Sequence, residues 1–234
     1  MTSTPRQINN GSNQSIDTNE KNTARFYNRW IGGFGPYGAV GRMIFGVSGD
    51  IYSRPFIRAA KITAADRVLE LGCGPGTILV KTHQLVSSSR SYVGLDISQV
   101  VIQRARENVA FNGLGQKIFP LLGGVNLPIA SSTVDVVLLS HVLKYLTDEH
   151  LAICFSECRR VLARGGRLAL WEFAPVALPI VSHLIARGAG GLKLRPLEQV
   201  QSILADSGFD SFDYFQVETP WAFWSNFALV ARFD

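Results

Sequence analysis

The most restrictive feature of the sequence is an apolar segment that runs directly into three glycines at alternating positions. It reads VLELGCGPGT over residues 68–77, with Gly72, Gly74 and Gly76. Glycine adopts positive φ angles without strain and lets a ligand approach the backbone closely. In open parallel sheets, ligands bind beyond the carboxyl ends of the strands, where such a turn lies. The segment therefore predicts a buried strand, a binding loop and a helix.

The rest of the chain alternates strand-like and helix-like segments. Apolar runs predict strands at 66–71, 92–96, 117–122, 134–139 and 167–173, and near 211–217 and 224–233. Helices are predicted from near Gly76, after N-caps at Ser98 and Thr147, and near 197–207; the third is expected to end at Gly165-Gly166. This alternation predicts an α/β fold, a mainly parallel sheet with helices on both faces.

Composition divides the chain into three parts. Residues 1–24 are polar with almost no large apolar side chains, which predicts a disordered tail. Residues 25–62 are rich in aromatic residues, glycine and arginine, which predicts short helices that form a cap. Residues 63–234 form the main domain, with an apolar insert at 174–195. A hydrophobic content of 47% suits one compact core.

Charge and cysteine usage exclude several classes of protein. The net charge is +5, but the 23 Lys and Arg residues are scattered, which favours a solubilising surface over a nucleic-acid interface. Cys154 and Cys158 share a helix face with apolar residues, and no second pair at zinc spacing is present, so we expect reduced thiols and no metal. The apolar run at 174–185 is too short and interrupted to span a bilayer. We therefore expect a cytoplasmic protein.

Glu70 lies two residues before Gly72, which gives the pattern acid-x-G-x-G-x-G. A carboxylate this close to the loop would repel a pyrophosphate, whereas it suits a ligand that carries a cationic amino group. The dinucleotide fingerprint also requires glycine at the sixth position of the loop, where this chain has Thr77. A plain strand-to-helix turn would not need three spaced glycines and a strand-end acid.

Asp96 ends the second predicted strand, in the segment YVGLD. A carboxylate at this strand end can accept hydrogen bonds from both hydroxyls of a ribose. Taken alone, it could equally be a helix-capping or surface acid. The glycine loop upstream favours the ribose contact.

Four segments occur in an order that is far more specific than any one of them: VLELGCGPG, YVGLDIS, LPIASSTVDVVLLSHVLKYL and LARGGRLALWEF, between residues 67 and 173. They resemble the successive motifs of the class I methyltransferases that depend on S-adenosylmethionine (SAM). The match is closest to the small-molecule branch that includes quinone-biosynthesis and phospholipid N-methyltransferases.

The resemblance implies a Rossmann-like sheet of seven strands with the last strand antiparallel. It also implies SAM as the cofactor and a set of residues around it. Glu70 and the loop Gly72, Cys73, Gly74 and Gly76 would lie near the methionine part, Asp96 on the ribose, and Ile97 and Val125 beside the adenine. Ser140 and His141 would face the methyl group.

Two positions depart from the family pattern. The family often has an acid that accepts from the adenine amino group, where this chain reads Gly123-Gly124-Val125-Asn126. Loss of one such hydrogen bond would weaken binding by about 0.5–1.5 kcal/mol. Asn126 is a candidate substitute. Arg164 replaces the usual proline before Gly165, a surface change that we expect to be harmless.

His141 is the best candidate for a general base, which the reaction needs only if the acceptor loses a proton with a high pKa. A structural histidine is the alternative. We expect residues 26–52 of the cap and the insert at 174–195 to form the acceptor pocket. The cap contains aromatic residues that suggest a small, hydrophobic acceptor: Phe26, Tyr27, Trp30, Phe34 and Tyr37. Tyr27 is also a candidate for cation–π contact with the sulfonium.

The leading hypothesis is thus a SAM-dependent methyltransferase for a quinone-, phenol- or lipid-like acceptor. A lipid headgroup is less favoured, because no strongly basic amphipathic helix is evident, although peripheral membrane contact stays open. One alternative is a catalytically silent SAM-binding module that acts through a partner, which Gly124 alone favours. The other is a nicotinamide-dependent oxidoreductase, against which Glu70 and Thr77 argue.

Overall fold

The structure, a computed structural model, describes residues 21–25, 28, 53–175, 193–215 and 226–234. A seven-stranded sheet organises these residues, in the order β3-β2-β1-β4-β5-β7-β6. Strands β1 to β5 are parallel, and β7 runs antiparallel to both of its neighbours, β5 and β6. This confirms the predicted α/β, Rossmann-like class with an antiparallel last strand.

The strands are β1 (Val68–Leu71), β2 (Tyr92–Asp96), β3 (Ile118–Leu122), β4 (Val134–Ser140), β5 (Leu162–Phe173), β6 (Ser211–Phe215) and β7 (Asn226–Arg232). The helices are α1 (21–25), α2 (53–59), α3 (Thr77–Val86), α4 (Gln99–Phe111), α5 (Asp148–Val161) and α6 (Leu197–Asp206). A 3-10 turn covers Leu143–Tyr145.

Side chains that alternate along the strands build two apolar cores, one on each face of the sheet. Helices α2, α3 and α4 cover one face, where Leu79, Ile102 and Val109 are buried. Helices α5 and α6 cover the other, where Phe155 and Leu204 are buried. Because both faces of the sheet are covered, β1 is buried along its whole length and β4 is buried from Val136 to Leu139, instead of only at alternating positions.

The predicted N-caps at Ser98 and Thr147 are present. The Ser98 hydroxyl accepts from the Val101 amide, and the Thr147 hydroxyl accepts from the His150 amide. Each satisfies a backbone donor that the first turn of the helix leaves free. These caps fix where the two helices begin: α4 follows the end of β2 directly, and α5 follows the 3-10 turn that comes after β4.

The predicted end of α5 at Gly165-Gly166 was wrong. The helix ends at Val161, and Leu162 is already extended and begins β5. The register between β4 and β5 then shifts, because Val134 pairs with Leu162 while Val136 pairs with Arg167. Gly165, at φ 77°, lets the intervening chain bulge out of the ladder. The glycines therefore serve the strand rather than end the helix.

The N-terminal prediction also needs a correction. Residues 21–25 are helical, so the expected disordered tail is at odds with the structure over 21–24. The remaining tail residues, 1–20, lie outside the described residues, as do positions 176–192 of the insert. So do the five cap residues that suggested the acceptor, Phe26, Tyr27, Trp30, Phe34 and Tyr37. The boundaries assigned to the three parts of the chain remain predictions.

The described part of the cap, α2, packs on the sheet beside β5. Phe56 is fully buried, with its ring centroid 5.9 Å from that of Trp171 and 6.3 Å from that of Phe215. Ser53 and Ile57 are buried with it. Helix α2 is thus anchored next to the carboxyl end of β5. Among the described residues, no helix is long and apolar enough to cross a membrane.

Two phenylalanines test the importance of this packing. Phe155→Ala is expected to destabilise the protein by about 3–5 kcal/mol, because it empties a fully buried site between α5 and the sheet. Phe111→Ala is the matched control: that side chain is 91% exposed, so the change should stay within about 0.5 kcal/mol. Urea denaturation measures both, and similar losses would contradict the assigned core.

Candidate active site

Four strand ends meet at one edge of the sheet, because β2, β1, β4 and β5 are neighbours and parallel. The glycine loop follows β1, Asp96 ends β2, Ser140 ends β4, and Glu172 lies near the end of β5. The structure therefore brings the predicted loop, the ribose-side acid and the predicted methyl-side residues to a common edge. Their contacts with a ligand remain predictions.

The three glycines of the loop all have left-handed backbones, with φ of 72° at Gly72, 53° at Gly74 and 75° at Gly76. A Cβ on Gly72 would overlap the Cγ2 atom of Val142, the residue after His141. The amides of Gly72 and Cys73 both donate to the carbonyl of Leu95, at 2.7 and 2.9 Å. The loop is thus tied to β2 and packed tightly against the end of β4.

Asp96 holds the loop to β2 through its carboxylate. It accepts from the Gly74 amide at 3.1 Å and from the Ser98 amide at 2.9 Å. Burial raises the pKa of Asp96, and these amides oppose the rise. Ser98 in turn donates to the side chain of Asn28, which brings the N-terminal part of the chain to this edge.

Glu70 is buried in the sheet, and its Oε2 atom has no hydrogen-bond partner among the described residues. Burial and the nearby Asp96 carboxylate raise the pKa of Glu70 well above its usual value. A buried carboxylate without a counter-charge is costly, so its retention indicates a partner that arrives with a ligand. The ammonium of the methionine part of SAM would be such a partner. The residues present therefore fit this cofactor.

The predicted adenine-side residues differ in exposure. Val125 is buried and Ile97 is half-buried, whereas Asn126 is exposed. Helix α5 fixes this loop: Glu157 accepts from the Leu127 amide at 3.0 Å, and Arg160 donates to the carbonyl of Leu127, also at 3.0 Å. The exposed position of Asn126 gives its proposed adenine contact no support, and that contact stays a prediction.

His141 lies directly after β4, in a left-handed backbone conformation with φ of 58°. Such a conformation is uncommon for residues other than glycine and often marks a functional site. Its ring centroid is 4.3 Å from each of the rings of Trp171 and Phe173, and its amide donates to the Trp171 carbonyl at 2.8 Å. The imidazole is therefore held firmly against the end of β5.

A buried ion pair lies beside His141. The Lys144 ammonium is 3.3 Å from Glu172 Oε1 and also donates to the His141 carbonyl. Burial lowers the pKa of Lys144. Burial alone would raise the pKa of Glu172, but Lys144 and His141 outweigh it and lower the pKa to about 2. Glu172 is thus an ionised carboxylate, with Oε1 3.5 Å from His141 Nδ1.

Arg195 holds the turn that carries Lys144. Its guanidinium is buried and donates to the carbonyls of Leu143 at 2.8 Å and Leu146 at 2.5 Å, and to Asp148 at 2.7 Å. Lys193 adds a backbone hydrogen bond to the Lys144 carbonyl at 2.8 Å. The last residues of the apolar insert are thus fastened to the candidate site.

The sequence-based prediction missed Lys144, Glu172 and Arg195. Glu172 lies at the carboxyl end of a parallel strand, so the argument that singled out Asp96 applies to it equally. Lys144 and Arg195 give no local signal, because their burial depends on elements far apart in the sequence.

Other predicted features have plain outcomes. Tyr27 lies outside the described residues. Cys73 is buried, and burial raises the pKa of its thiol well above the usual value, which leaves it unreactive.

A cavity of about 520 Å³ lies at the opposite edge of the sheet, against the amino ends of β1, β2 and β4, and none of the predicted site residues lines it. Within the described ranges, no cluster of three metal-ligating side chains occurs.

Comparison with known proteins agrees with this geometry. A model of the methyltransferase domain matches residues 68–166, which carry the glycine loop, Asp96 and His141. The ubiquinone/menaquinone biosynthesis C-methyltransferase UbiE of Cronobacter sakazakii is 27% identical over 199 residues, covering 75% of this chain and 78% of the relative.

Solved structures share the fold. The geranyl diphosphate C-methyltransferase of Streptomyces coelicolor has a TM-score of 0.69 at 14% identity, covering 91% of this chain and 96% of that one. The [4+2]-cyclase SpnF has a TM-score of 0.64 at 15% identity, covering 95% and 96%. Identities this low establish the fold alone, and the cyclase shows that this fold also supports other chemistry.

The sheet, the glycine loop and the two strand-end acids define the protein as a SAM-binding enzyme of the Rossmann-like class. The match of residues 68–166 to the methyltransferase domain, together with the curated methyltransferase relatives, supports a SAM-dependent methyltransferase with SAM as its cofactor. This agrees with the resemblance found in its sequence and excludes the nicotinamide-dependent alternative.

Gly72→Ala tests the close approach of the loop to β4. A left-handed alanine costs about 1–2 kcal/mol, and the Val142 contact should add to that loss. Gly113→Ala is the control, since it has φ of 70° but nothing within 4 Å of its added Cβ. Chemical denaturation should show a larger loss of stability for Gly72→Ala than for Gly113→Ala. Only Gly72→Ala should lose SAM binding. Equal losses would contradict the packing of the loop.

Glu70→Gln tests the unpaired carboxylate. A hydrogen bond to a charged group contributes about 1.5–3 kcal/mol, so SAM affinity should fall about 10- to 100-fold in calorimetry. The ligand-free variant should be at least as stable as the wild type, because it no longer buries an unpaired acid.

The raised pKa of Glu70 predicts how the stability of the folded protein changes with pH. Unfolded Glu70 releases its proton near the ordinary value of 4.5, whereas folded Glu70 keeps it to higher pH. Above that value the wild type should therefore lose stability as pH rises, and Glu70→Gln should lose less. Asp96 is present in both proteins, so their difference reports Glu70 together with its interaction with Asp96. Identical pH profiles would contradict the assigned environment.

Proposed function

We propose that the protein transfers the methyl group of SAM to a small hydrophobic acceptor of the phenol or hydroquinone class, with His141 as the proton acceptor. The observation that carries the proposal is the position of His141. It follows β4, adjoins the glycine loop through Val142, and packs against two aromatic rings.

The donor half of the proposal rests on the loop and its acids. Glu70 offers an unpaired, buried oxygen to a cationic group, and Asp96 is the candidate for the ribose hydroxyls. SAM supplies a methyl group that is already activated on a sulfonium. The protein therefore mainly has to position the acceptor, an effect that can supply about 7–11 kcal/mol.

The acceptor half rests on the surroundings of His141. Trp171 and Phe173 give this edge an apolar, aromatic lining, and α2 supports it from behind through Phe56. Lys144 is already paired with Glu172 and is not available to a second anion. These features favour an aromatic alcohol over a diphosphate.

The chemistry of a hydroquinone gives His141 a role. His141 would remove a hydroxyl proton, and electron density would move into the ring. A ring carbon would then form the bond to the methyl group as the bond from methyl to sulfur breaks and S-adenosylhomocysteine leaves. The ring proton would pass to solvent as aromaticity returns, and the imidazolium of His141 would give its proton back to the ring oxygen. With oxygen as the attacking atom, the same proton removal yields an ether. The name of the quinone C-methyltransferase relative supports the carbon route.

The test is transfer of labelled methyl from SAM to defined acceptors. The panel comprises a prenylated hydroquinone without its ring methyl group, a simple phenol, and geranyl diphosphate with Mg²⁺. We expect transfer to the hydroquinone. His141→Ala should lower turnover by about 10²- to 10⁴-fold while SAM affinity is retained. His83→Ala is the control, because His83 packs on Tyr92 at the far, amino end of β2 and should keep full activity.

Three results would overturn the proposal. Transfer to geranyl diphosphate alone would contradict the acceptor class. Full activity of His141→Ala would contradict the base role. SAM binding without transfer to any acceptor in the panel or in a cell extract would identify a silent binding module instead.

A further inference from the structure

We propose that Glu172 is a positioning residue that holds His141 with its proton on Nδ1 and Nε2 free to accept a proton, and that Lys144 keeps this carboxylate in place. This inference rests on the proposed base role of His141. Methyl transfer by itself does not require the buried pair of Glu172 and Lys144, and the inference gives this pair a role.

The carboxylate of Glu172 is fixed from several sides. Oε1 accepts from the Phe173 amide at 2.9 Å and from the Lys144 ammonium, and Oε2 accepts from the Lys144 amide at 3.2 Å. Only 2% of the side chain is exposed. The anion therefore cannot rotate away from the imidazole that lies beside it.

The imidazole is fixed as well, and in an orientation that turns Nδ1 inward. Nδ1 is buried and 3.5 Å from Glu172 Oε1, a long contact at the outer limit of a hydrogen bond. The side chain as a whole keeps 27% exposure, so the ring still has an open side. Catalytic hydrogen bonds are often long before substrate binds and shorten afterwards.

Electrostatics then selects the tautomer. A neutral imidazole carries its proton on one nitrogen, and the hydrogen bond that this nitrogen makes decides which one. A fixed anion beside Nδ1 favours the proton there and leaves the lone pair on Nε2. Glu172 thereby also stabilises the imidazolium that forms when Nε2 accepts a proton.

Lys144 explains why the acid remains an anion in a buried site. An unpaired buried carboxylate would take up a proton, whereas a paired one stays ionised. The ammonium also donates to the His141 carbonyl, so it supports the left-handed backbone that carries the imidazole. Its turn is clamped by Arg195, which makes the arrangement rigid.

A shift in the pH profile of kcat/KM provides the first test. The charged groups that act on His141 within the described residues are Glu172 and Lys144: burial lowers the pKa of His141, Glu172 raises it and Lys144 lowers it. The base works only when neutral, so kcat/KM falls below this pKa. Glu172→Gln removes the anion that raises this pKa, so it should move that acid limb to lower pH.

A double-mutant cycle provides the second test. Glu172→Gln should lower kcat by about 10-fold or more, as expected when a proton acceptor loses its orientation. The same change in a His141→Ala background should have almost no further effect, because there is no imidazole left to position. SAM affinity should be unchanged in all of these variants.

A single replacement can leave a buried charge without its partner and impair folding. The double variant Glu172→Gln, Lys144→Met removes both charges and avoids this problem. It should fold, bind SAM, and show the same loss of kcat as Glu172→Gln alone. Wild-type turnover in this double variant would overturn the proposal.

Nitrogen-15 NMR of histidine-labelled protein with bound S-adenosylhomocysteine reads the tautomer without any acceptor, and the His141→Ala spectrum assigns the signal. We expect the proton on Nδ1 in the wild type and a mixture of tautomers in the double variant. A proton on Nε2 in the wild type would overturn the proposal. An unshifted acid limb in Glu172→Gln would also overturn it, as would losses of kcat that simply add in the double-mutant cycle. Full turnover of His141→Ala is a different result, which contradicts the proposed function itself.

Discussion

The tight contact between Gly72 and Val142 is the constraint on which the site depends. It brings the loop after β1 to within van der Waals distance of the end of β4, and no larger residue than glycine fits there. The loop also has to turn through three positive φ angles to reach Asp96 and Leu95 on β2. The glycine loop and His141 are therefore parts of one rigid edge of the sheet. The distance between them is set by the sheet rather than by side-chain conformation.

The sheet itself was predictable because its signals are local. Apolar runs, the caps at Ser98 and Thr147 and the glycine loop all depend on neighbours in the sequence. The end of α5 was not, because Leu162 continues the helical spacing and only its pairing with Val134 makes it a strand residue. Tertiary pairing overrode the periodicity there.

The part of the candidate site expected to bind SAM was predictable from the sequence, whereas the prediction for the surroundings of His141 was incomplete. Glycine spacing and strand-end acids are visible in the sequence, which is why Glu70 and Asp96 were found. The environment of His141 depends on three elements that are distant in the chain: β5 supplies Glu172, the 3-10 turn supplies Lys144, and the segment before α6 supplies Arg195. No spacing rule connects them, although the position of Glu172 at a strand end was a signal that the prediction left unused.

The two buried glutamates show how the same residue type serves opposite purposes. Glu70 lacks a counter-charge within the described residues, so binding of a cation there removes an electrostatic cost that the ligand-free protein bears. Glu172 has its counter-charge in Lys144, so its negative charge is permanent and can act on a neighbour. An acid that waits for a partner suits ligand capture, whereas an acid that already has one suits orientation. This difference in pairing, rather than residue identity, separates the donor side of the edge from the acceptor side.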